Sequence, residues 1–316
     1  MLLGLMDKLL RQKHKHWLAG LAAVALMVLG LIGCSARKPE RDIAITVPII
    51  DGLGREIRIQ ALPKRIISLA PSITEMLFAL GLGERIVGVT SYCDFPVEAK
   101  RIEKVGDTLN PNLERLIALK PDLVVITTAS QLERLSEQLS GQGIPVYVVN
   151  PQTVREVALS IFGLGMATGT SAQGKKIQDD MLQRIASVEA RVESLPKPKV
   201  LYVLQAAPLI TAGQKTFITD LIRLAGGQSI TGDEPTDYPQ LSRETAIARA
   251  PEVIVAPASH GTELVKEEDL RKDFAVTPAL KMNRIVRVNP DWVDRPGPRI
   301  VDGLEQLAEG LHPSKK

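Results

Sequence analysis

The chain is poor in the residues from which most metal sites and many active sites are built. It holds four histidines and two cysteines among 316 residues, and aromatic residues make up only 3 %. His14 and His16 lie in the first, basic segment, which leaves His260 and His312 far apart in sequence. This supply argues against a zinc site of the usual histidine and cysteine type, and we expect no bound metal and no resident cofactor.

Motifs of the common catalytic and nucleotide-binding sites are missing as well. The sequence has no G-x-x-x-x-G-K-[ST] phosphate loop and no G-x-S-x-G nucleophile elbow. Residues 81–86 begin like a dinucleotide fingerprint, but they lack its last glycine and follow a predicted helix instead of a strand. We therefore predict a protein that is not an enzyme and has no catalytic residues.

Excess charge of one sign is also missing from most of the chain. The formal net charge is +3, and the first 33 residues account for it with Lys8, Arg11, Lys13 and Lys15 against Asp7. The remainder is close to neutral, so electrostatics give no reason to expect nucleic-acid binding. The length of 316 residues is enough for two domains.

The N-terminus has the pattern of an export signal. A basic segment precedes an apolar run over residues 17–32, which ends in Leu31-Ile-Gly-Cys34. That box resembles the bacterial lipoprotein cleavage site and implies cleavage before Cys34, lipidation of its sulfur, and a membrane-anchored protein in the periplasm or at the cell surface. An uncleaved membrane anchor is the alternative. Because lipidation would occupy Cys34, we predict no disulfide and a small, partly buried Cys93.

Two segments occur twice in the chain, in the same order. A strand, a turn and a helix over residues 65–83 are matched by a strand at 200–204 and a helix at 219–227, which makes Glu75 and Asp220 equivalent. Residues 112–126 then align without gaps on residues 242–256, with Glu114 and Glu244 identical. Two matches in one order indicate two related lobes.

The pattern of strands and helices predicts an α/β fold with parallel sheets. In each half, buried-looking strands alternate with helices, which is typical of a parallel sheet covered on both faces. A helical pattern from residue 171 to about 195 lies between the halves, and we interpret it as a connecting helix. The predicted divisions are a signal peptide (1–33), a tether (34–41), an N-terminal lobe (42–168), the connecting helix (169–196) and a C-terminal lobe (197–316).

The few aromatic residues fall at places where a ligand could bind. Tyr92 and Trp292 each follow a predicted strand, and Tyr238 lies in a loop beside a proline. Loops at the carboxyl ends of parallel strands form the ligand crevice, so we expect these rings there. The alternative is that the rings cover lobe edges. Arg295 could bind an anionic ligand group or pair with a local carboxylate.

The equivalent acids Glu75 and Asp220 also have two interpretations. Ser72 and Glu75 have the spacing of a helix capping box, and Asp220 could serve the helix dipole. The other interpretation is a pair of exposed carboxylates that docks onto a two-fold symmetric partner.

Several motifs resemble one family of proteins. Residues 65–75, 88–96, 113–125 and 224–227 are similar to motifs of the substrate-binding proteins of vitamin B12, iron-siderophore and haem ABC importers, and the likeness covers about residues 42–312. Residues 238–243 and 291–299 resemble members that bind vitamin B12. The resemblance implies two Rossmann-like lobes joined by a long rigid helix, with the ligand in the cleft between them.

The resemblance also implies roles for the candidate residues. Tyr92, Tyr238, Trp292 and Arg295 would contact a corrinoid of the vitamin B12 type, or else a ferric siderophore or haem, with Arg295 receiving the charge of an anionic chelate. Glu75 and Asp220 would dock a monomeric protein onto arginines of an ABC permease dimer, which works with its ATPase. A chelatase-like enzyme of related fold is the alternative from another class, and His260 is its candidate metal-handling base.

Overall fold

The computed structural model describes residues 46–60, 62–128, 132–258 and 265–313. The predicted lipidation site Cys34 and the candidate base His260 lie outside these ranges. The described residues begin with a hairpin of two antiparallel strands, β1 (Thr46–Ile50) and β2 (Glu56–Gln60). Asp51 shapes its turn by accepting hydrogen bonds from the backbone amides of Leu53 and Arg55, both at 3.0 Å. The turn residues Asp51-Gly-Leu-Gly54 between two extended segments predict such a hairpin, and the structure confirms it.

The first lobe contains a four-stranded sheet in which every pairing is parallel. Its strands are β3 (Ile66–Ser68), β4 (Ile86–Val89), β5 (Leu123–Thr127) and β6 (Val146–Val149). Their spatial order is β4-β3-β5-β6. The helices of this lobe are α1 (Pro71–Ala79), α2 (Leu113–Ala118), α3 (Leu132–Ser140) and α4 (Val154–Thr168).

A single long helix, α5 (Ser171–Val192), follows the first lobe, as predicted. Its 22 residues span about 33 Å at 1.5 Å per residue. Gly169, whose φ of 76° lies in the left-handed region that favours glycine, ends α4 and lets the chain turn back along it. Met181, Ile185, Val188 and Val192 recur at helical spacing and are buried, so one face of α5 faces the core.

The second lobe contains another four-stranded parallel sheet. Its strands are β7 (Lys199–Tyr202), β8 (Gln228–Ser229), β9 (Val253–Pro257) and β10 (Ile285–Val288). Its helices are α6 (Phe217–Leu224), α7 (Arg243–Ala248), α8 (Glu267–Asp273), α9 (Pro278–Lys281), α10 (Pro290–Val293) and α11 (Ile300–Leu311). Helix α8 departs from the irregular loop that the sequence pattern predicts for residues 259–277.

The two sheets have the same topology, which confirms the predicted repeat. The order β8-β7-β9-β10 in the second lobe corresponds strand for strand to β4-β3-β5-β6 in the first. Helix α1 is therefore equivalent to α6, α2 to α7, and α4 to α11. The predicted α/β fold with two parallel sheets and one long helix between them is confirmed.

The apolar core runs through both lobes. Ile66 and Val125 of the first sheet belong to the same buried cluster as Val200 and Val255 of the second, and side chains of α5 such as Ile185 join them. A second cluster lies on the far face of each sheet. Because the lobes share a core, a wide hinge opening would expose apolar surface and is disfavoured.

Candidate functional site

A cavity of about 520 Å³ lies between the two lobes, at the carboxyl ends of the strands. Residues 70–72 follow β3, Thr127 ends β5 and Val149 ends β6, and all of them line it. The first lobe contributes hydroxyl and amide side chains from Thr108, Thr127, Thr128, Asn150 and Gln152. The second contributes Lys215, Phe217, Asp237, Tyr238, Asp294 and Arg295. This is where the strand and helix order predicts a ligand crevice.

The structure divides the four predicted ligand residues into two groups. Tyr238 and Arg295 line the cavity, whereas Tyr92 and Trp292 are not among its lining residues. Tyr92 is 62 % exposed, and Trp292 lies in the short helix α10. Strand order alone does not explain this division, because β6 and β10 are also edge strands and residues that follow each of them line the cavity.

Asp294 is a cavity residue that sequence reasoning missed. It follows α10 immediately, and its Oδ1 accepts a hydrogen bond of 2.6 Å from the hydroxyl of the buried Tyr202. Burial raises the pKa of the Asp294 carboxyl to about 6, and the bond from Tyr202 and the charge of Arg295 offset this only in part. The sequence did contain a signal for Asp294, because it lies between Trp292 and Arg295, two residues predicted to bind the ligand.

Replacing Asp294 by asparagine should change how stability depends on pH. The folded protein binds the Asp294 proton more tightly than the unfolded chain, so its contribution to stability falls as pH rises from about 4 to about 6. Asp294→Asn removes this loss and can still accept the bond from Tyr202. We expect a higher Tm than wild type at about pH 7.5, by about 2–4 °C per kcal/mol recovered, and a smaller difference near pH 4. Thermal unfolding at both pH values checks it, and an equal offset at both would contradict it.

Arg295 is held by acids of both lobes. Its guanidinium pairs with Asp94 of the first lobe at 2.8 Å and with Asp291 of its own lobe at 2.9 Å, and it lies 3.7 Å from Glu75. Of the two predicted roles for Arg295, pairing with a carboxylate is the one seen here. Its positive charge is therefore compensated before any ligand arrives.

Glu75 is neither a member of a helix capping box nor an exposed carboxylate, the two roles that the sequence suggests for it. Helix α1 begins at Pro71 after Ala70 and has no side-chain cap, so Ser72 lies inside the helix and no capping box forms. The Glu75 residue is 3 % exposed, and its carboxylate accepts two hydrogen bonds from Arg299 of the second lobe, at 2.7 and 2.8 Å. Burial raises the pKa of Glu75, although Arg299 and Arg295 act in the opposite direction. The prediction of an exposed carboxylate is wrong here, because the partner lobe covers it.

Asp220 is likewise not a free carboxylate. Only 12 % of its side chain is exposed, and Oδ1 pairs with Arg223 at 2.6 Å. Its Oδ2 accepts a hydrogen bond of 2.9 Å from the backbone amide of Val154, which belongs to the other lobe. The equivalence of Glu75 and Asp220 holds, but both face the lobe interface and not solvent.

Another pair of equivalent acids is exposed, namely Glu114 and Glu244. Each lies in the first turn of a short helix, α2 or α7, whose N-cap side chain, Asn112 or Ser242, accepts a backbone hydrogen bond. Both helices lead into a central strand, so their first turns lie at the carboxyl edge of the sheet, where the cleft opens. Neither carboxylate forms an ion pair with any residue of the described ranges. The signal was present in the sequence, as the identical glutamates of the gapless match.

The remaining predictions concern Cys93, metals and membrane spans. Cys93 is 1 % exposed, and its sulfur lies 3.1 Å from the hydroxyls of Thr74 and Thr90, so it is more completely buried than expected. Within residues 46–60, 62–128, 132–258 and 265–313, no group of three or more histidine, cysteine, aspartate or glutamate side chains is placed to hold a metal ion. None of the helices in those ranges is both long and apolar enough to cross a bilayer.

Comparison with known proteins gives consistent relatives. A Bacillus subtilis (strain 168) protein named as an uncharacterized ABC transporter substrate-binding lipoprotein, YvrC, is 32 % identical over 306 residues, which are 92 % of this chain and 96 % of that protein. The crystal structure of the periplasmic vitamin B12 binding protein BtuF of Vibrio cholerae matches with a TM-score of 0.72 and 31 % identity, covering 79 % of this chain and 96 % of the other. The periplasmic heme-binding protein RhuT from Roseiflexus sp. RS-1 matches with a TM-score of 0.71 and 26 % identity, covering 79 % and 98 %.

A sequence model described as periplasmic binding protein matches residues 66–291, which is more than half of the chain. The matched region begins at β3 of the first sheet and ends in α10 of the second lobe, so it spans both lobes and the cleft between them. The chain belongs to the periplasmic binding protein family.

Proposed function

We propose that this protein is the extracytoplasmic substrate-binding component of an ABC importer. It binds a corrinoid in the cleft between its lobes and delivers it to a permease dimer that works with an ATPase. The lipid on Cys34 holds it at the membrane. The full-length similarity to a protein named as an ABC transporter substrate-binding lipoprotein supports the class and the anchor. The similarity to a vitamin B12 binding protein supports the ligand.

The charge balance of the cavity is the observation that carries the choice of ligand. Among its lining residues, Lys215 and Arg295 are matched in number by Asp237 and Asp294, and the six polar side chains of the first lobe, including Ser72, are neutral. Hydroxyls and amides of this kind pair well with the amide groups around a corrin ring. Tyr238 and Phe217 offer ring faces for a large planar ligand.

A ferric siderophore or haem is the alternative ligand in the same role. An anionic chelate needs uncompensated positive charge, and Arg295 already has two carboxylates within 3 Å. Lys215 is exposed and could still attract one. For haem, the specific observation is Tyr238, whose phenol lines the cavity and could bind iron. The second alternative, a chelatase-like enzyme, has its candidate base His260 outside the described ranges.

Isothermal titration of the purified protein with cyanocobalamin tests the proposed ligand. We expect one-to-one binding, with cobinamide, a ferric siderophore and haem as the comparison panel. Binding of an iron chelate in place of the corrinoid would keep the transport role and change the ligand. If all four compounds remain unbound, the proposed ligand class is wrong.

Replacing cavity and edge tyrosines should have unequal effects on binding. Tyr238→Ala removes a ring from the cavity wall, so the Kd for the bound ligand should rise about tenfold or more. Tyr92→Ala is the matched control, because Tyr92 is 62 % exposed and does not line the cavity. Titration calorimetry of both variants gives the comparison. A larger effect from Tyr92 would mean that the ligand lies at the edge of the first lobe.

We assign docking on the permease to Glu114 and Glu244 in place of Glu75 and Asp220. The four acids form two equivalent pairs, and of these only Glu114 and Glu244 are exposed on both lobes. A permease dimer that covers the mouth of the cleft presents two equivalent surfaces, and two equivalent carboxylates on the cleft edges match that symmetry.

A further inference from the structure

The two interlobe acids make reciprocal contacts. Glu75 lies on α1, the first helix of its lobe, and bonds Arg299, which precedes α11, the last helix of the other lobe. Asp220 lies on α6, the equivalent first helix, and bonds Val154, the first residue of α4, which is the equivalent last helix. Each acid therefore reaches the N-terminus of the last helix in the opposite lobe. The arrangement has the reciprocity of a two-fold interface within one chain.

The contact of Glu75 is a two-pronged ion pair in a buried setting. Both carboxylate oxygens accept from Arg299, Oε2 from Nε at 2.8 Å and Oε1 from Nη2 at 2.7 Å. The guanidinium of Arg299 also lies over the ring of Phe95, 3.8 Å from its centre. Glu75 and Phe95 belong to the first lobe and Arg299 to the second. This geometry fixes the orientation as well as the distance of the two segments.

The contact of Asp220 is a helix cap supplied by the other lobe. The amide of Val154 is one of the donors that the helix α4 cannot satisfy internally, and a carboxylate at that end also suits the helix dipole. Thr153 caps the amide of Glu156 in the same turn, so Asp220 adds a second, interlobe cap. Arg223 holds the Asp220 carboxylate through Oδ1, which leaves Oδ2 directed at Val154.

We infer that Glu75 and Asp220 are positioning residues that clamp the two lobes at a fixed separation. They limit how far the lobes can separate and keep the cleft preorganised, so the ligand does not have to order the lobes when it binds. The Glu75–Arg299 and Asp220–Val154 contacts are these interlobe clamps. The consequence for ligand affinity rests on the proposed function, whereas the effect on lobe separation does not.

Pulsed electron–electron double resonance measures the distance between spin labels on the two lobes, and it tests the clamps without any ligand. The labels are attached to Glu98→Cys in the first lobe and Lys272→Cys in the second, in the full-length lipoprotein in detergent. Both positions are exposed and accessible to the label, whereas Cys93 is only 1 % exposed. In the Glu75→Ala, Asp220→Ala double variant we expect a longer mean distance and a broader distribution than in the wild type. Each single variant should give part of the shift.

Conservative and control variants separate clamping from general stability. Glu75→Gln and Asp220→Asn each keep an acceptor oxygen and should restore most of the wild-type distribution. Asp179→Ala removes an exposed carboxylate that pairs with Lys175 within α5, and it should leave the distribution unchanged. If the double variant does not fold, Asp220→Ala alone carries the test, because α4 keeps its Thr153 cap.

The measured distance distribution tests the interlobe clamps independently of the identity of the ligand. An unchanged distribution in a folded double variant would overturn the clamps, even if the corrinoid binds. A broadened distribution supports them, even if no compound of the panel binds. Where the ligand is known from titration, its Kd should rise about tenfold in the double variant through lost preorganisation.

Discussion

Reversing the charge of both Glu114 and Glu244 should abolish delivery to the permease while ligand binding stays intact. Each carboxylate is exposed at the carboxyl edge of its sheet, and a lysine in its place would meet cationic partner groups with like charge. Like-charge contacts at an interface cost several kcal/mol, so the affinity for the permease complex should fall at least about 100-fold. Binding to the reconstituted permease–ATPase complex and uptake by cells measure the effect.

The design of this experiment has two controls. Glu84→Lys with Glu309→Lys changes the net charge equally, but Glu84 precedes β4 and Glu309 lies in the last turn of α11, so both are at the opposite edges of the sheets. This control should bind the permease nearly as wild type does. Titration with the ligand should give the same Kd for all variants. A parallel loss of ligand binding in Glu114→Lys, Glu244→Lys would mean that these residues support the fold of the cleft and not docking.

Gly213→Ala should cause the largest loss of stability among single substitutions near the cleft. An added Cβ would lie 1.9 Å from the carbonyl oxygen of Thr236 and 2.9 Å from that of Glu234. Backbone atoms cannot rotate away as a side chain can, so the loop must move. We expect a loss of about 3 kcal/mol in the free energy of unfolding, at the upper end of overpacking costs. Chemical denaturation measures it.

The same substitution should weaken ligand binding, because the displaced loop carries cavity residues. The amide of Gly213 donates a hydrogen bond of 2.8 Å to the carbonyl of Asp237, and Asp237 and Tyr238 both line the cavity. Gly232→Ala is the matched control in the same lobe, since its nearest neighbour would be 3.5 Å from the added Cβ. If both variants have wild-type stability and affinity, the loop does not depend on the close approach at Gly213.

The elements and their order followed from local sequence patterns. Runs such as residues 123–127 are continuously apolar and β-branched, and a proline or a polar cap marks the adjoining helix, so strand, helix and repeat could all be assigned. The long helix α5 was predictable for the same reason, since its buried face recurs at helical spacing. These features depend on neighbours within a few residues.

The composition of the cleft depended on contacts that no local pattern encodes. Tyr92 and Trp292 each follow a strand as predicted, but neither lines the cavity, whereas Asp294 and Arg295, only two and three residues after Trp292, do. Asp294 lines the cavity because Tyr202, 92 positions away in sequence, holds it there.

Local patterns in the amino-acid sequence are enough to assign the class of fold, the two-fold repetition and the equivalence of Glu75 with Asp220 and of Glu114 with Glu244. They do not show which pair faces solvent. That was decided only by the tertiary structure, because burial depends on what the opposite lobe places nearby. Arg299, 224 positions from Glu75, and the Val154 amide, 66 positions from Asp220, turn one pair of acids inward, while no described residue covers the other.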